Sequence, residues 1–120
     1  MVDWKPSASL QNLQQRANAL AKIRRFFSER DVLEVETPLL ASSTVPDVYI
    51  ESIAAEVVEG NSSRKNFLQT SPEFFMKRLL ASGSGSIYQI AKAFRQEEKG
   101  SRHNIEFTLL EWYRLSYSLD

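Results

Sequence analysis

The stretch FRQEEKGSRHNIEFTLLEWY, residues 94–113, decides how the chain reads. Two apolar runs flank a charged loop, which is the layout of a hairpin. An arginine, Arg95, closes the first run, and two carboxylates, Glu106 and Glu111, lie inside the second. The chain's one histidine, His103, stands where the loop returns. Side chains of a strand alternate between faces. Phe107, Leu109, Glu111 and Tyr113 therefore share one face, and Glu106, Thr108, Leu110, Trp112 and Arg114 share the other. A carboxylate beside Phe107, Leu109 and Tyr113 is costly if buried unpaired, so it must meet a cation, a donor or solvent.

The run over residues 86–94 alternates Ile87, Gln89, Ala91 and Ala93 with Tyr88, Ile90, Lys92 and Phe94. Both of its faces are largely apolar, which predicts an inner strand, with residues 107–115 as its antiparallel partner. That pairing brings Arg95 toward the start of the second strand. It gathers a guanidinium, several carboxylates, His103, Asn104 and Phe107 at one end of a sheet surface. The planar fork of arginine suits phosphate or carboxylate oxygens. An aromatic face suits a nucleobase, and an acid facing a pocket suits a ligand ammonium. The set reads as a site for a nucleotide beside a cationic group. An internal salt-bridge network with a solvent-facing loop histidine would satisfy the same charges without a ligand.

Upstream, Ser71-Pro72-Glu73 is a helix start: a serine cap, proline at the first position and an acid in the first turn. Phe74, Phe75, Lys77, Arg78, Leu79 and Leu80 carry that helix toward Gly83, a fitting C-terminal glycine. Leu10, Leu13, Ala17, Leu20, Ile23 and Phe27 recur at spacings of three and four, one face of a helix that should stop near Asp31. Residues 32–36 alternate as a short strand, ended by Thr37-Pro38, because proline cannot donate to a ladder. Residues 41–48 read as a loop. Residues 53–58 and 67–69 read as strands around a turn at 60–63, although Ala54-Ala55-Glu56 is also compatible with a helix. The expected fold class is α+β, an antiparallel sheet flanked by helices.

Composition narrows the function classes. The chain has 120 residues, one domain's worth, with 42% hydrophobic content. Lys plus Arg and Asp plus Glu number 15 each, so only a local patch could meet a polyanion. There is no cysteine, hence no disulfide and no thiolate metal site. The absence fits a reducing cytoplasm. No apolar run approaches the ~20 residues that span a bilayer. Neither a Walker A loop nor a G-x-G-x-x-G stretch occurs, and no cluster has transition-metal spacing.

Phe94-Arg95-Gln96-Glu97, the loop, and Arg102-His103-Asn104-Ile105-Glu106-Phe107-Thr108-Leu109-Leu110-Glu111 resemble motif two of the class II aminoacyl-tRNA synthetases. The helix running into Glu34-Val35-Glu36-Thr37-Pro38 resembles motif one, the dimerisation element. Thr70-Ser71-Pro72-Glu73 with Met76-Lys77-Arg78-Leu79 resembles the segment between them in the lysyl subgroup. The resemblance covers residues 9–115. Motif three is absent, so residues 1–120 are expected to form one partial catalytic domain, inactive by itself. A first helix so near the start, the lead-in Trp4-Lys5-Pro6 and the Thr44-Val45-Pro46-Asp47 loop are similar to the truncated paralogues that modify elongation factor P.

The resemblance implies a ligase that activates lysine or β-lysine with ATP and magnesium as the substrate complex. The acyl acceptor is then a lysine of elongation factor P, or tRNA-Lys if the chain is the core of a lysyl-tRNA synthetase. A third reading is a non-catalytic dimerisation module. By resemblance, Arg95 takes the α-phosphate and acts in catalysis. Gln96, Glu97, Asn104 and Phe107 serve the adenine end, and His103 reaches the outer phosphates. Ser71, Pro72, Glu73, Glu111 and Tyr113 line the amino-acid pocket. No resident metal is implied. A homodimer through the first helix, no membrane and a cytoplasmic location follow from the same resemblance. Ile105 and Gln96 stand where the lysyl group usually has proline and asparagine.

Overall fold

The computed structural model describes residues 4–43, 52–96 and 104–116. Two helices and six strands form in the order α1 (Leu10–Ser28), β1 (Leu33–Glu34), β2 (Leu40–Ala41), β3 (Ala54–Glu59), β4 (Ser62–Leu68), α2 (Glu73–Ala81), β5 (Ile87–Phe94) and β6 (Glu106–Tyr113). The strands make two three-stranded sheets, ordered β1-β5-β6 and β2-β4-β3. The architecture is α+β, as the sequence predicts.

Helix α1 begins at Ser9, whose hydroxyl accepts the Asn12 amide at 3.1 Å and so satisfies one orphan donor of the first turn. At its other end Asp31 turns left-handed, with φ 55. The Val32 amide then reaches back to the Phe27 carbonyl at 3.0 Å, and the Asp31 amide to that of Ser28 at 3.2 Å. This is a Schellman closure with aspartate where glycine is commonest. It folds Val32 onto Phe27, and both are buried in one cluster with Tyr88.

Strand β5 is the central strand of its sheet. It runs parallel to β1 (Leu33↔Ile87) and antiparallel to β6 (Ile87↔Tyr113 through Phe94↔Glu106). The parallel edge is an addition to the all-antiparallel expectation. Tyr88, Ile90, Leu110 and Trp112 make the face that receives α1. Phe27 stacks on Tyr88 with ring centroids 4.3 Å apart and lies 5.9 Å from Trp112. Burying a residue of this size is worth about 1.5–3 kcal/mol. The rest of the helical stripe is less covered: Leu13 and Leu10 are 48% and 77% exposed.

The second sheet shows where the sequence misleads. Strand β4 begins at Ser62, not at Phe67, and the turn is the two residues Gly60 and Asn61 between Glu59 and Ser62. Gly60 takes φ 60, which a tight hairpin needs at its first loop position. Ala54-Ala55-Glu56 is strand and not helix. Ala41, where the expected loop begins, pairs together with Leu40 to the end of β4 as β2.

Gln69 joins the two sheets. Its amide donates to the Leu39 carbonyl at 2.9 Å, and its own carbonyl accepts the Phe94 amide at 2.8 Å. Its side-chain Nε2 donates to the Lys92 carbonyl at 2.7 Å. Helix α2 starts one residue later than the sequence suggests: Pro72 occupies the cap position and no side chain caps it. Ser71 Oγ still accepts the Glu73 amide, at a long 3.4 Å. Gly83, with φ 91, closes α2 as expected: its amide meets the Leu80 carbonyl at 3.0 Å, and that of Ser84 meets Leu79 at 3.1 Å.

Candidate functional site

The face of β5–β6 turned away from α1 carries Gln89, Ala91 and Ala93 opposite Glu111, Leu109 and Phe107. Alanine opposite Phe107 and Leu109 leaves the larger side chains room on this surface. At one end, the Arg95 guanidinium lies over the Phe107 ring, 5.2 Å from its centroid. The Arg95 amide donates to the Ile105 carbonyl at 2.9 Å, which extends the hairpin past its last ladder pair. Continuing that register sets Gln96 beside Asn104, both exposed. Arg95 is exposed too and has no ion-pair partner among the described residues. Among the described residues its charge meets the Phe107 ring.

Toward the other end, the Tyr113 hydroxyl donates to Glu111 Oε2 at 3.1 Å. Burial pushes the Glu111 carboxyl above its usual range, and the negative charge of Glu73 adds to the shift. The Tyr113 bond and the Lys77 charge pull it partly back. Tyr113 itself is pushed up to about 12, chiefly by burial and then by the carboxylate it serves. Glu73 pairs with Lys77 one helical turn on, at 2.6 Å. The two acids, the phenol and the ammonium thus form one electrostatic group.

Opposite Glu111 on the same face, Gln89 is 1% exposed. Its Oε1 accepts the Thr37 amide at 3.1 Å, and its Nε2 donates to Thr37 Oγ1 at 2.9 Å. The segment leaving β1 is thereby fastened to the central strand under the site. On the α1 side, Tyr88 donates to Glu34 Oε1 at 3.1 Å, and Arg24 pairs with the same oxygen at 3.2 Å.

Of the sequence-predicted residues, Arg95 and Phe107 meet, as do Glu111 and Tyr113. Glu73 acts on that second pair by charge, and Ser71 and the buried Pro72 shape the start of its helix. Gln96 and Asn104 sit at the hairpin's outer end. Glu97 and His103 lie outside the described residues. Sequence reading missed Lys77, Gln89 and Thr37 as members of the site. The signals were a lysine four residues after Glu73 and an amide in the middle of an apolar strand. Among the described residues, no three His, Asp or Glu side chains cluster as metal ligands do.

The model of the family described as "tRNA synthetases class II (D, K and N)" matches residues 1–118. The chain belongs to that family. Class II relatives named elongation factor P–(R)-beta-lysine ligase are its strong matches. The protein of Vibrio vulnificus is 55% identical over 118 residues, which is 97% of this chain and 36% of the relative. That of Vibrio cholerae is 54% identical over 117 residues, 96% of the chain and 36% of the relative. That of Haemophilus influenzae is 54% identical over 113 residues, 92% and 35% respectively. The chain thus spans about a third of the length of the relatives it matches. No helix among the described residues of this class II chain is long and apolar enough to cross a membrane.

Proposed function

We propose that the protein carrying these residues activates lysine or (R)-β-lysine with ATP and passes the acyl group to a lysine of elongation factor P. The observation that carries this reading is one sheet face with a guanidinium over an aromatic ring at one end and a half-buried carboxylate–phenol pair toward the other. The first pairing suits a nucleotide, the second an ammonium. The names of the matched relatives support elongation factor P as the acceptor. On this reading residues 1–120 are part of a catalytic domain, with motif three outside them.

The step is an in-line displacement. A carboxylate oxygen of the amino acid attacks the α-phosphorus of ATP and forms an acyl phosphate bond. The bond from that phosphorus to the bridging oxygen breaks, and pyrophosphate leaves. Magnesium enters on the ATP phosphates as part of the substrate. Arg95 holds the α-phosphate; with no ion pair among the described residues to give up, it meets the developing charge at little cost of rearrangement. Phe107 stacks with the adenine, with Gln96, Glu97 and Asn104 around it and His103 at the outer phosphates. Glu111 and Glu73 face the ligand's ammonium groups, with Tyr113 fixing the Glu111 carboxylate and Ser71 and Pro72 closing the pocket edge.

The apolar stripe exposed at Leu10 and Leu13 supports a homodimer through α1. A reaction on elongation factor P belongs in the cytoplasm. The test is amino-acid-dependent ATP–pyrophosphate exchange by the full-length protein, followed by transfer to elongation factor P or to tRNA-Lys. Exchange with transfer to the protein acceptor alone is expected. Charging of tRNA-Lys would instead make this a lysyl-tRNA synthetase, and no exchange with either amino acid would overturn the reading.

A further inference from the structure

We infer that Gln69 is a positioning residue for Arg95, holding the end of β5 at the angle from which the guanidinium is presented; this rests on the function proposed above. Gln69 makes two bonds to the last residues of β5: its carbonyl takes the Phe94 amide at 2.8 Å and its Nε2 donates to the Lys92 carbonyl at 2.7 Å. Strand neighbours bond in this way to the two residues flanking a partner. Here the flanked residue is Ala93, and the side-chain amide stands in for a backbone donor. A one-residue bridge is built where no further strand lies among the described residues.

Its placement gives the bridge its consequence. Arg95 follows Phe94 directly, and past it the hairpin has only the Arg95–Ile105 backbone bond before the described strand ends. Gln69 is also tied by its own amide to the Leu39 carbonyl at 2.9 Å, so it is anchored to the second sheet. Thr70, 2% exposed, and buried Pro72 follow it into the helix that carries Glu73. One residue therefore fixes the distance between the proposed amino-acid side of the site and its phosphate side. The Gln69 Oε1 atom is buried and accepts no bond among the described residues. The amide donates while its acceptor has no partner among the described residues, an arrangement that typical packing does not tolerate without reason.

Two substitutions separate the donor from the shape. Gln69→Glu keeps the outline and removes the donor facing the Lys92 carbonyl; Gln69→Arg supplies donors again and has no acceptor to bury. The readout is ATP–pyrophosphate exchange by the full-length protein, with rates divided by active sites counted in an adenylate burst. Gln69→Glu should lower kcat per active site about tenfold to a hundredfold and raise KM for ATP, because small misplacements of a reacting group cost this much. KM for the amino acid should stay within about twofold, since the Glu73, Glu111 and Tyr113 group is untouched by this bond. Gln69→Arg should recover most of the loss. Wild-type constants per active site in Gln69→Glu, or equal losses in both variants, would overturn the assignment. If the wild-type protein itself supports no exchange, the function fails and amide hydrogen exchange decides the bridge. Faster exchange at Phe94 and Arg95 in Gln69→Glu, restored in Gln69→Arg, upholds it; unchanged protection sinks it.

Discussion

Tyr113 donates its hydroxyl to Glu111 Oε2 at 3.1 Å, two positions along the same face of β6. Burial raises the pKa of both groups, and each sets the other's titration.

That pair gives the site a pH signature. The native Glu111 carboxyl sits above the ordinary 4.5, so around and above that pH the folded chain binds more protons than the unfolded one. Stability from this group is fully present below about pH 4.5 and is lost as pH rises through the raised native value. Glu111→Gln should flatten that part of the curve of urea midpoint against pH. The same substitution should bring the Tyr113 transition down from about 12 toward 10.0, because the carboxylate is one of the causes holding it up. Ultraviolet titration of the phenolate, with Tyr113→Phe as the blank, reads this directly.

The proposed roles of Arg95 and Glu111 predict different kinetic losses. Arg95 is exposed and bears no ion pair among the described residues, so Arg95→Ala should leave the unfolding midpoint nearly unchanged. It should lower pyrophosphate exchange by about 10²–10³, the usual cost of one charge-stabilising donor. Glu111→Gln should raise KM for the amino acid more than it lowers kcat. An unchanged KM would leave Glu111 a structural partner of Tyr113 and nothing more.

Phe27 is the keystone of the α1 contact. It is 3% exposed, stacks on Tyr88 and leans on Trp112. Phe27→Ala should cost about 3–5 kcal/mol. Trp112 fluorescence during urea unfolding would follow the loss, and a cost below about 1 kcal/mol would mean that α1 is held elsewhere.

Gln89 offers a test of the polar clamp. Gln89→Leu leaves the Thr37 amide and hydroxyl buried without their present partner, a penalty of about 1–3 kcal/mol for each group so stranded. The unfolding midpoint should fall, while exchange per active site falls less than in Arg95→Ala. The reverse ranking would place Gln89 in the reaction itself.

Legibility in the sequence followed the range of the interactions. The β5–β6 hairpin could be read because a period of two and a charged loop are local signals, and its register then placed Phe107 and Glu111 on one face. Strand β4 was half missed because Ser62, Ser63, Arg64 and Lys65 carry no apolar alternation; the ladder with β3 makes that strand, not propensity. The parallel partner of β1 could not be read, since nothing near Leu33 points to Ile87. The stripe on α1 was correctly placed, yet the pattern could not tell that of its residues Phe27 alone is buried. Arg95 and Glu111 could be named from the residues, which left a nucleotide site and an internal salt-bridge network both open; the family resemblance favoured the first. Gln69 and Gln89 were invisible because a glutamine declares its partners only in three dimensions.

The parallel seam between β1 and β5 also sets an order of events in folding. Both hairpins close over short loops, and such closures are fast. The seam, in contrast, joins Leu33 to Ile87, with the whole second sheet and α2 between them. Closing so long a loop is paid for in entropy before any contact rewards it. On a ribosome, α1 and β1 emerge before β5 and must wait, with Phe27 uncovered, until Ile87 and Tyr88 have been made. Docking of α1 is then a late step, and Phe27→Leu should speed unfolding while leaving the refolding rate almost unchanged in stopped-flow experiments.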